Sequence, residues 1–355
     1  MIWTNKPYLI CDIKPGMILG RPVFSDDGAI LLSENTVLAE GMIERLVAAG
    51  FNTLYIKEPA VEETDNVLSL LSEQQVFSKT HSELLQVLKE AFDKTRYFKE
   101  VPLAKMQEIA DRSIESMVKA TGVISHLGMI RNTDDYTFRH SVNVGIIAGV
   151  LGKWLGYTGD KLRELVLCGL LHDIGKTQIP LEILNKPGSL TAEEMDIMEG
   201  HAILGFELVK KTDLSQDVLI GILQHHERLD GRGYPFQLVG SEVAHYARIV
   251  AVADIYDAMT NDRIYHRAKT PFKAIEEVFS GMFGKLDPDI ALTFLDHLKD
   301  SLVGYIVRLS DGSDARVIYL DNTRLARPVV KLSDGKYIDL EVRRDLVIAE
   351  VLAVN

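Results

Sequence analysis

The segment 170–176, which reads Leu-Leu-His-Asp-Ile-Gly-Lys, places a His-Asp pair at the end of an apolar run of helical character. Further histidines and an aspartate occur on both sides of this pair, each on or at the end of a predicted helix. They are His140, His201, His225, His226 and Asp254. Helix bundles build metal sites from side chains that project inward from facing helices. The sequence therefore predicts a metal centre inside a helical bundle.

The composition is that of an ordinary globular protein with room for two or three domains. The chain has 355 residues, of which 46% are hydrophobic and 25% are charged. Its net charge of -12 argues against binding of a nucleic acid polymer, which requires a basic face. A small anionic ligand held by a local cluster of cations remains compatible with this charge.

The sequence predicts a cytoplasmic protein without a membrane span. Residues 1–7 lack the apolar core of a signal peptide. The apolar run at 142–151 is interrupted by Asn143 and by glycines, and it is too short to cross a bilayer. Cys11 and Cys168 share no motif, which is typical of reduced thiols in the cytoplasm.

The predicted fold class is mainly α, with a central all-helical bundle between two small modules. Residues 1–57 are predicted to form an α+β module. In it, residues 23–24 and 29–32 form a hairpin, residues 40–49 a helix that ends at Gly50, and residues 53–56 a strand. This module shows no chemistry of its own in the sequence.

Three further regions follow. Residues 58–128 are a helical linker region and residues 129–298 the central bundle. Residues 301–355 are a small β-domain, in which the repeated pattern at 307–312 and 330–335 predicts two hairpins with Asp-Gly turns. An apolar stripe at 84–117 has helical spacing and would suit either a core or the interface of a homodimer.

Helices are predicted at 136–157, 162–172, 218–226 and 247–259. Another begins at Thr191, where Thr-Ala-Glu-Glu matches a capping box, and it is expected to carry His201. The histidines at positions 81 and 126 have no partner of ligand type at a useful spacing, so we expect them to be surface or structural residues.

Two metal ions held ~3.5–4 Å apart can share a carboxylate and hold a phosphate between them. Asp173 is the natural bridge, because it directly follows His172. We assign the remaining candidate ligands to two groups. The first group is His140, His172 and Asp254, and the second is His201, His225 and His226.

The segment after the His pair, residues 225–235, reads His-His-Glu-Arg-Leu-Asp-Gly-Arg-Gly-Tyr-Pro. Together with His172 and Asp173, this pattern resembles the HD-GYP family of cyclic di-GMP phosphodiesterases over residues 130–295. The first sixty residues also resemble a small module that often precedes this domain. The match extends to the spacer segments 179–180, 183–188, 200–201 and 252–258.

The resemblance implies hydrolysis of cyclic di-GMP to pGpG, and in some members onward to GMP, by a hydroxide that bridges two divalent metal ions. Iron or manganese are the expected metals. It implies that Lys176 contacts the region of the scissile phosphate and that Arg263 holds a phosphate of the ligand. Tyr234 lies on a loop that lines the site or docks signalling partners. Asp257 orients a ligand, protonates the leaving oxygen, or is structural.

Three departures from the family pattern bear on this prediction. Tyr136 stands where some members carry a glutamate that binds a third metal, so we predict two metals. His266 replaces a basic residue three positions after Arg263, which leaves Arg267 as the neighbouring cation that would bind substrate. Ile264 replaces a usual proline.

Two alternatives remain open at this point. HD-type sites serve many phosphate esters, so the chain could be a phosphohydrolase that acts on another nucleotide. It could instead be a non-catalytic receptor for cyclic di-GMP. The sequence leaves open the native metal, the end product, the oligomeric state and what the flanking modules sense.

Overall fold

The computed structural model of the protein divides into two compact units, residues 1–75 and residues 76–355. The residues that it describes are 3–10, 13–25, 28–51, 53–59, 63–118, 123–124, 127, 136–260, 269–320 and 326–353. No helix within these ranges is long and apolar enough to cross a membrane.

The first unit is a small α+β module. Its elements are β1 (Trp3–Leu9), β2 (Val23–Phe24), β3 (Ile30–Leu32), α1 (Glu40–Ala48) and β4 (Thr53–Pro59). The predicted hairpin is present as the antiparallel pair of β2 and β3. Gly28 has φ +83° in the connecting turn, whereas Asp26 and Asp27 lie outside the described residues. The predicted helix and the strand after it are also present.

Strand β1 was not predicted from the sequence. It pairs antiparallel with β4 over its whole length, from Trp3 opposite Pro59 to Leu9 opposite Thr53. Lys6 and Pro7 interrupt any local apolar pattern in this strand, and its partner lies about fifty residues away. Local periodicity carries no information about such a pairing.

The remaining helices include those that carry the candidate ligands. They are α2 (Glu63–Phe98), α3 (Leu103–Ser113), α4 (Tyr136–Trp154), α5 (Gly159–Leu171), α6 (Leu181–Leu184), α7 (Ala192–Glu199), α8 (His201–Val209), α9 (Gln216–Gln224), α10 (His245–Thr260), α11 (Pro271–Gly281) and α12 (Pro288–Leu302). A π-helical turn, Ile114–Val118, extends α3, and a 3₁₀ turn, Ile174–Gln178, follows the His-Asp pair.

The apolar stripe at 84–117 belongs to the core of the second unit. Leu84 and Leu88 on α2 are fully buried, as is Met106 on α3. They join one continuous hydrophobic cluster with the apolar faces of α4, α5 and α10. Burying this much apolar surface is the main source of folding free energy, and it fixes the helices that surround the candidate ligands.

Helices α4 and α5 approach each other closely at a pair of glycines. A Cβ atom added to Gly169 would lie 2.7 Å from Cα of Gly145. Only residues without side chains allow two helices to pack at this separation. The approach brings the rings of His140 on α4 and His172 at the end of α5 to a centroid distance of 5.2 Å.

The helix predicted from Thr191 through His201 is two helices. The capping box is confirmed: the Thr191 hydroxyl accepts from the Glu194 amide, and the Glu194 carboxylate accepts from the Thr191 amide. However, α7 ends at Glu199, and His201 opens α8. The junction falls at Gly200, a residue of low helix propensity.

The chain ends in a five-stranded antiparallel sheet. Its strands are β5 (Ile306–Leu309), β6 (Asp314–Tyr319), β7 (Val329–Leu332), β8 (Tyr337–Asp339) and β9 (Ile348–Ala353), in the order β8-β7-β6-β5-β9. Both predicted hairpins are present. Gly312 and Gly335 adopt φ +87° and +88° in their turns, as Asp-Gly turns require. Buried sheet residues such as Val307 and Val317 extend the helical core.

Cys168 is a free thiol buried on α5. Burial raises the pKa of this thiol, so it stays protonated and packs as a small apolar side chain. Cys11 lies outside the described residues.

Candidate metal centre

Five helices deliver the seven predicted ligands to one place. The ligands are His140 on α4, His172 and Asp173 directly after α5, His201 at the start of α8, His225 and His226 directly after α9, and Asp254 on α10. Of these, His172 and Asp173 are fully buried, and His226 is the most exposed, with 24% of its side-chain surface accessible. The site therefore opens to solvent on the His226 side.

Asp173 lies between two groups of histidines, and each of its carboxylate oxygens faces one group. Oδ2 lies 3.3 Å from Nε2 of His172 and 3.9 Å from Nε2 of His140. Oδ1 lies 3.3 Å from Nε2 of His201 and 3.9 Å from Nε2 of His225. This is the geometry expected of a carboxylate that bridges two metal ions.

The donor atoms form two clusters that share Asp173. One consists of His140, His172 and Asp173; the other consists of Asp173, His201, His225 and His226. Within each cluster, the potential ligand atoms lie within 4.8 Å of one another. Nε2 of His172 and Oδ1 of Asp173 are buried and have no hydrogen-bond partner among the described residues. Orphaned buried acceptors are costly, and two divalent cations would satisfy both. The residues present therefore fit two metal ions.

Asp254 stands at the edge of both clusters. Its Oδ1 lies 3.0 Å from Nε2 of His140, and its Oδ2 lies 3.9 Å from Nδ1 of His226. Its place beside His140 fits the predicted assignment to the first group.

Three of the histidines are held by one repeated local contact. Nδ1 of His172, His201 and His225 each lies 2.7 Å from the backbone carbonyl oxygen three residues earlier. These carbonyls belong to Gly169, Met198 and Ile222. Because a carbonyl only accepts, each Nδ1 carries a proton, and Nε2 is the ring nitrogen that faces Asp173. Such contacts fix the tautomer that metal ligation needs.

The charges in the centre suit cation binding. Burial lowers the pKa of His225 well below its usual value and that of His226 to about 3, so both imidazoles are neutral. Burial would raise the pKa of Asp173, but His172 and Lys176 outweigh it and hold the carboxyl ionised. Neutral imidazole and ionised carboxylate are the forms that bind metals.

His140 differs from its neighbours, because two carboxylates face it. Burial opposes a charged ring, yet Asp254 and Asp257 raise its pKa to about 9. Asp257 is buried and contacts Nδ1 of His140 at 2.7 Å, on the ring edge opposite Nε2. Its other oxygen accepts from the Asn143 amide at 2.7 Å. This position suits the predicted role of Asp257 in orienting a ligand, whereas the contact of Asn143 with Asp257 was not predicted.

Lys176 places a cation beside the centre. Its Nζ lies 2.6 Å from Oδ2 of Asp173, and about a quarter of its side chain is exposed. It follows Asp173 by three residues within the 3₁₀ turn, which places the ammonium group at the solvent-facing side of the carboxylate.

The segment after the His pair folds back over the second cluster. The ring of Tyr234 lies 4.6 Å from the ring of His226 and 6.2 Å from that of His201, between centroids. This approach requires Gly233, because a Cβ there would lie 2.4 Å from the Arg228 amide nitrogen and 2.6 Å from the His226 carbonyl oxygen. The Tyr234–Pro235 peptide bond is cis.

Comparison with known proteins assigns this arrangement to a family. The family model described as "HD domain" matches residues 126–290. A cyclic di-GMP phosphodiesterase of Pseudomonas aeruginosa is 33% identical over 242 residues, which cover 68% of this chain and 58% of the relative. A cyclic di-GMP phosphodiesterase of Thermotoga maritima is 39% identical over 178 residues, which cover 49% of this chain and 48% of the relative. Residues 126–290 form an HD domain of the HD-GYP type.

A solved structure shows the same fold around this HD-GYP domain. The HDG"Y"P protein Bd1817 of Bdellovibrio bacteriovorus superposes with a TM-score of 0.52, at 20% identity, over 83% of this chain and 100% of its own. The chain spans about half the length of the curated relatives it matches.

Glu227 organises the Gly-Tyr-Pro loop of the HD-GYP domain, although the sequence offered no role for it. Its carboxylate is buried and accepts from the backbone amides of Phe236 at 2.6 Å and Leu238 at 3.0 Å. Two charge-assisted bonds of this kind fix both ends of the segment after Pro235. The spacing of nine and eleven residues along an irregular loop gives no periodic signal that could have revealed it.

We expect Glu227→Gln to loosen this loop, because the amide offers a donor where two backbone amides need acceptors. The free energy of unfolding should fall by about 1–3 kcal/mol, measured by urea denaturation. Amide hydrogen exchange at residues 234–239 should accelerate. Glu242→Gln is the matched control: it removes the charge from an exposed carboxylate in the same loop that accepts one bond, from Val239 at 2.8 Å. Equal effects of the two variants would contradict the role of Glu227.

Several predicted residues lie outside the described part of the chain. Residues 261–268 are among them, so the structure does not place Arg263, Ile264, His266 or Arg267. Position 136 opens α4, but its side chain is likewise not described. His126 also falls outside the described residues.

His81 was expected to be a surface or structural residue, and it is structural. It is 1% exposed, and its Nε2 lies 2.7 Å from Oδ1 of Asn143. Burial holds its pKa below the usual value, so the ring is neutral.

Proposed function

We propose that this protein is a metal-dependent phosphodiesterase that hydrolyses cyclic di-GMP to pGpG. GMP, formed by further hydrolysis of pGpG, is a second product to be sought. The observation that carries the proposal is the position of Asp173 between two clusters of imidazoles, together with two buried atoms, Nε2 of His172 and Oδ1 of Asp173, that have no hydrogen-bond partner among the described residues. A site of this kind suits the hydrolysis of phosphate esters. We take cyclic di-GMP as the substrate because two relatives are named as cyclic di-GMP phosphodiesterases.

The first metal would be held by His140, His172 and Asp254, the second by His201, His225 and His226, with Asp173 shared. Two divalent cations, iron or manganese, would neutralise the phosphate and activate the attacking water. We propose two ions and not three, because Tyr136 stands where a further carboxylate would be required.

The chain's own residues would then position the diester. Lys176 presents an ammonium group at the open side of Asp173, where it would bind a non-bridging phosphate oxygen. Tyr234 covers His226 with an aromatic face, and burial raises the pKa of its hydroxyl, so it remains protonated and can donate a hydrogen bond. Arg263 and Arg267 are proposed as further phosphate contacts. Asp257 is proposed to orient His140.

Other parts of the prediction remain proposals. Cytoplasmic location is one of them. Docking of signalling partners through the Gly-Tyr-Pro loop is another; Phe236 and Val239 on this loop are more than half exposed. A homodimer is a third, and the stripe on which it was based is buried in the chain's own core.

The test is product analysis. The protein is purified without oxygen, reconstituted with Fe²⁺ or Mn²⁺ and incubated with cyclic di-GMP, and the products are separated by chromatography. We expect pGpG from the wild type and from His297→Ala, which removes a histidine remote from the centre, and no product from His225→Ala. Binding of cyclic di-GMP without product under either metal would instead identify a receptor. Preferential cleavage of a mixed guanine–adenine cyclic dinucleotide would reassign the substrate.

A further inference from the structure

A chain of three hydrogen bonds connects helix α2 to the metal centre. Nε2 of His81 lies 2.7 Å from Oδ1 of Asn143, and Nδ2 of Asn143 donates to Oδ1 of Asp257 at 2.7 Å. Oδ2 of Asp257 lies 2.7 Å from Nδ1 of His140. All four side chains are at most 4% exposed. These contacts are therefore shielded from bulk water.

The direction of donation in these three hydrogen bonds is fixed. Asp257 is a carboxylate and can only accept, so both Asn143 and His140 donate to it. The Asn143 amide thus uses its NH₂ group toward Asp257 and its oxygen toward His81. Because that oxygen accepts, His81 donates from Nε2. Nδ1 of His140 is the final donor, and this contact holds the ring so that Nε2 faces Asp254 and Asp173.

Helix α2 is held against the same site at a second point. About four turns beyond His81, the guanidinium of Arg96 donates to the carbonyl oxygens of Lys176 at 3.0 Å and Ile179 at 3.2 Å. These carbonyls belong to the end of the 3₁₀ turn that carries Lys176. Arg96 therefore restrains α2 from sliding along its axis relative to the 3₁₀ turn. This restraint helps to keep His81 beside Asn143.

We propose that His81 is a positioning residue for the metal centre, acting through Asn143 and Asp257 on the ring of His140. This inference rests on the proposed function, since it assumes that His140 binds a metal. Without the donor at His81, Oδ1 of Asn143 is left buried without that partner, which is unfavourable. A shift of the Asn143 side chain that relieves this would also move Asp257, because the Asn143 amide donates to the carboxylate that holds His140.

A matched pair of amide variants tests the proposal. In His81→Gln, the amide nitrogen lies about as far from the backbone as Nε2 of histidine, so it can still donate to Asn143. His81→Asn has the same chemistry but is one methylene shorter, so its nitrogen stops at the reach of Nδ1. Leu84→Ala on the same helix is the control for lost packing, because Leu84 is fully buried and apolar. Each variant is titrated with Co²⁺ alone, and its visible absorption band and dissociation constant are measured.

We expect His81→Asn to weaken Co²⁺ binding by about tenfold and to change the absorption band, since outer contacts of ligands typically contribute 10- to 100-fold to metal affinity. The Co²⁺ dissociation constant of His81→Gln should lie within about threefold of the wild-type value. Leu84→Ala should lower the unfolding midpoint while leaving the Co²⁺ spectrum unchanged. Wild-type Co²⁺ binding by His81→Asn, or an equal loss in Leu84→Ala, would overturn the proposal.

The Co²⁺ titration requires no substrate, so it separates this inference from the proposed function. If the wild type binds two Co²⁺ ions but cleaves no cyclic dinucleotide, the proposed activity fails, while the comparison of the His81 variants still stands. If the wild type cleaves the substrate and His81→Asn matches it in both Co²⁺ affinity and kcat, the proposed activity stands and His81 has no positioning role.

Discussion

Replacing Asp173 with asparagine is expected to remove phosphodiesterase activity, lowering kcat/KM by roughly 10³-fold or more. Each oxygen of this carboxylate faces a different cluster, at 3.3 Å from His172 and 3.3 Å from His201. Asparagine preserves the volume but presents an NH₂ group to one of the clusters, and this group cannot bind a metal. Activity is measured as pGpG formed by protein loaded with Mn²⁺, and metal content is measured on the same samples.

Asp196→Asn is the matched control, because Asp196 is an exposed aspartate on α7 outside the centre. It should retain wild-type activity and metal content. Asp173→Asn that retains both metals and turns over within tenfold of the wild type would contradict the bridging role of Asp173.

Gly175→Ala is expected to destabilise the second unit by about 3 kcal/mol or more, at the upper end of the range for overpacked sites. A Cβ at this position would lie 1.9 Å from the carbonyl oxygen of His201 and 2.5 Å from the amide nitrogen of Gly205. Both obstacles are backbone atoms of α8, so relief requires that the 3₁₀ turn and α8 move apart. Such a movement would separate Asp173 from His201. Urea denaturation and metal content are the measurements.

Gly41→Ala on α1 provides the comparison, since a Cβ there meets nothing within 4 Å. Alanine in an open helical position should leave stability unchanged or raise it by up to about 1 kcal/mol. A folded Gly175→Ala protein with wild-type stability and two metals would show that the close approach of the turn to α8 is not required.

The sequence singled out the candidate ligands because chemistry and periodicity coincide in them. His140 and Asp254 stand on strongly apolar helices, and His172 and His225 end such helices, so each stood out against its surroundings. The two β-hairpins near the carboxyl terminus carried a repeated Asp-Gly turn, which is a local signal. The features that were predicted correctly, such as these hairpins, each have a signal within a few residues of their own position in the sequence.

The hydrogen bonds that lead from His81 through Asn143 and Asp257 to His140 were not predicted, for the opposite reason. Asn143 appeared in the sequence only as an interruption of an apolar run, and His81 appeared to lack a partner of ligand type. Their contact spans sixty-two positions in the chain, and that of Asn143 with Asp257 spans 114. Such pairs are created by helix packing, about which a single sequence carries no pattern.

The most direct test of the central claim is a count of the metal ions together with a measure of their separation. The wild type is loaded with Mn²⁺, freed of excess ion, analysed for metal per chain and examined by electron paramagnetic resonance. A pair held ~3.5–4 Å apart across Asp173 predicts two ions per chain and an exchange-coupled signal, which is lost in Asp173→Asn. One ion per chain, or two ions with uncoupled six-line spectra, would contradict a bridged centre.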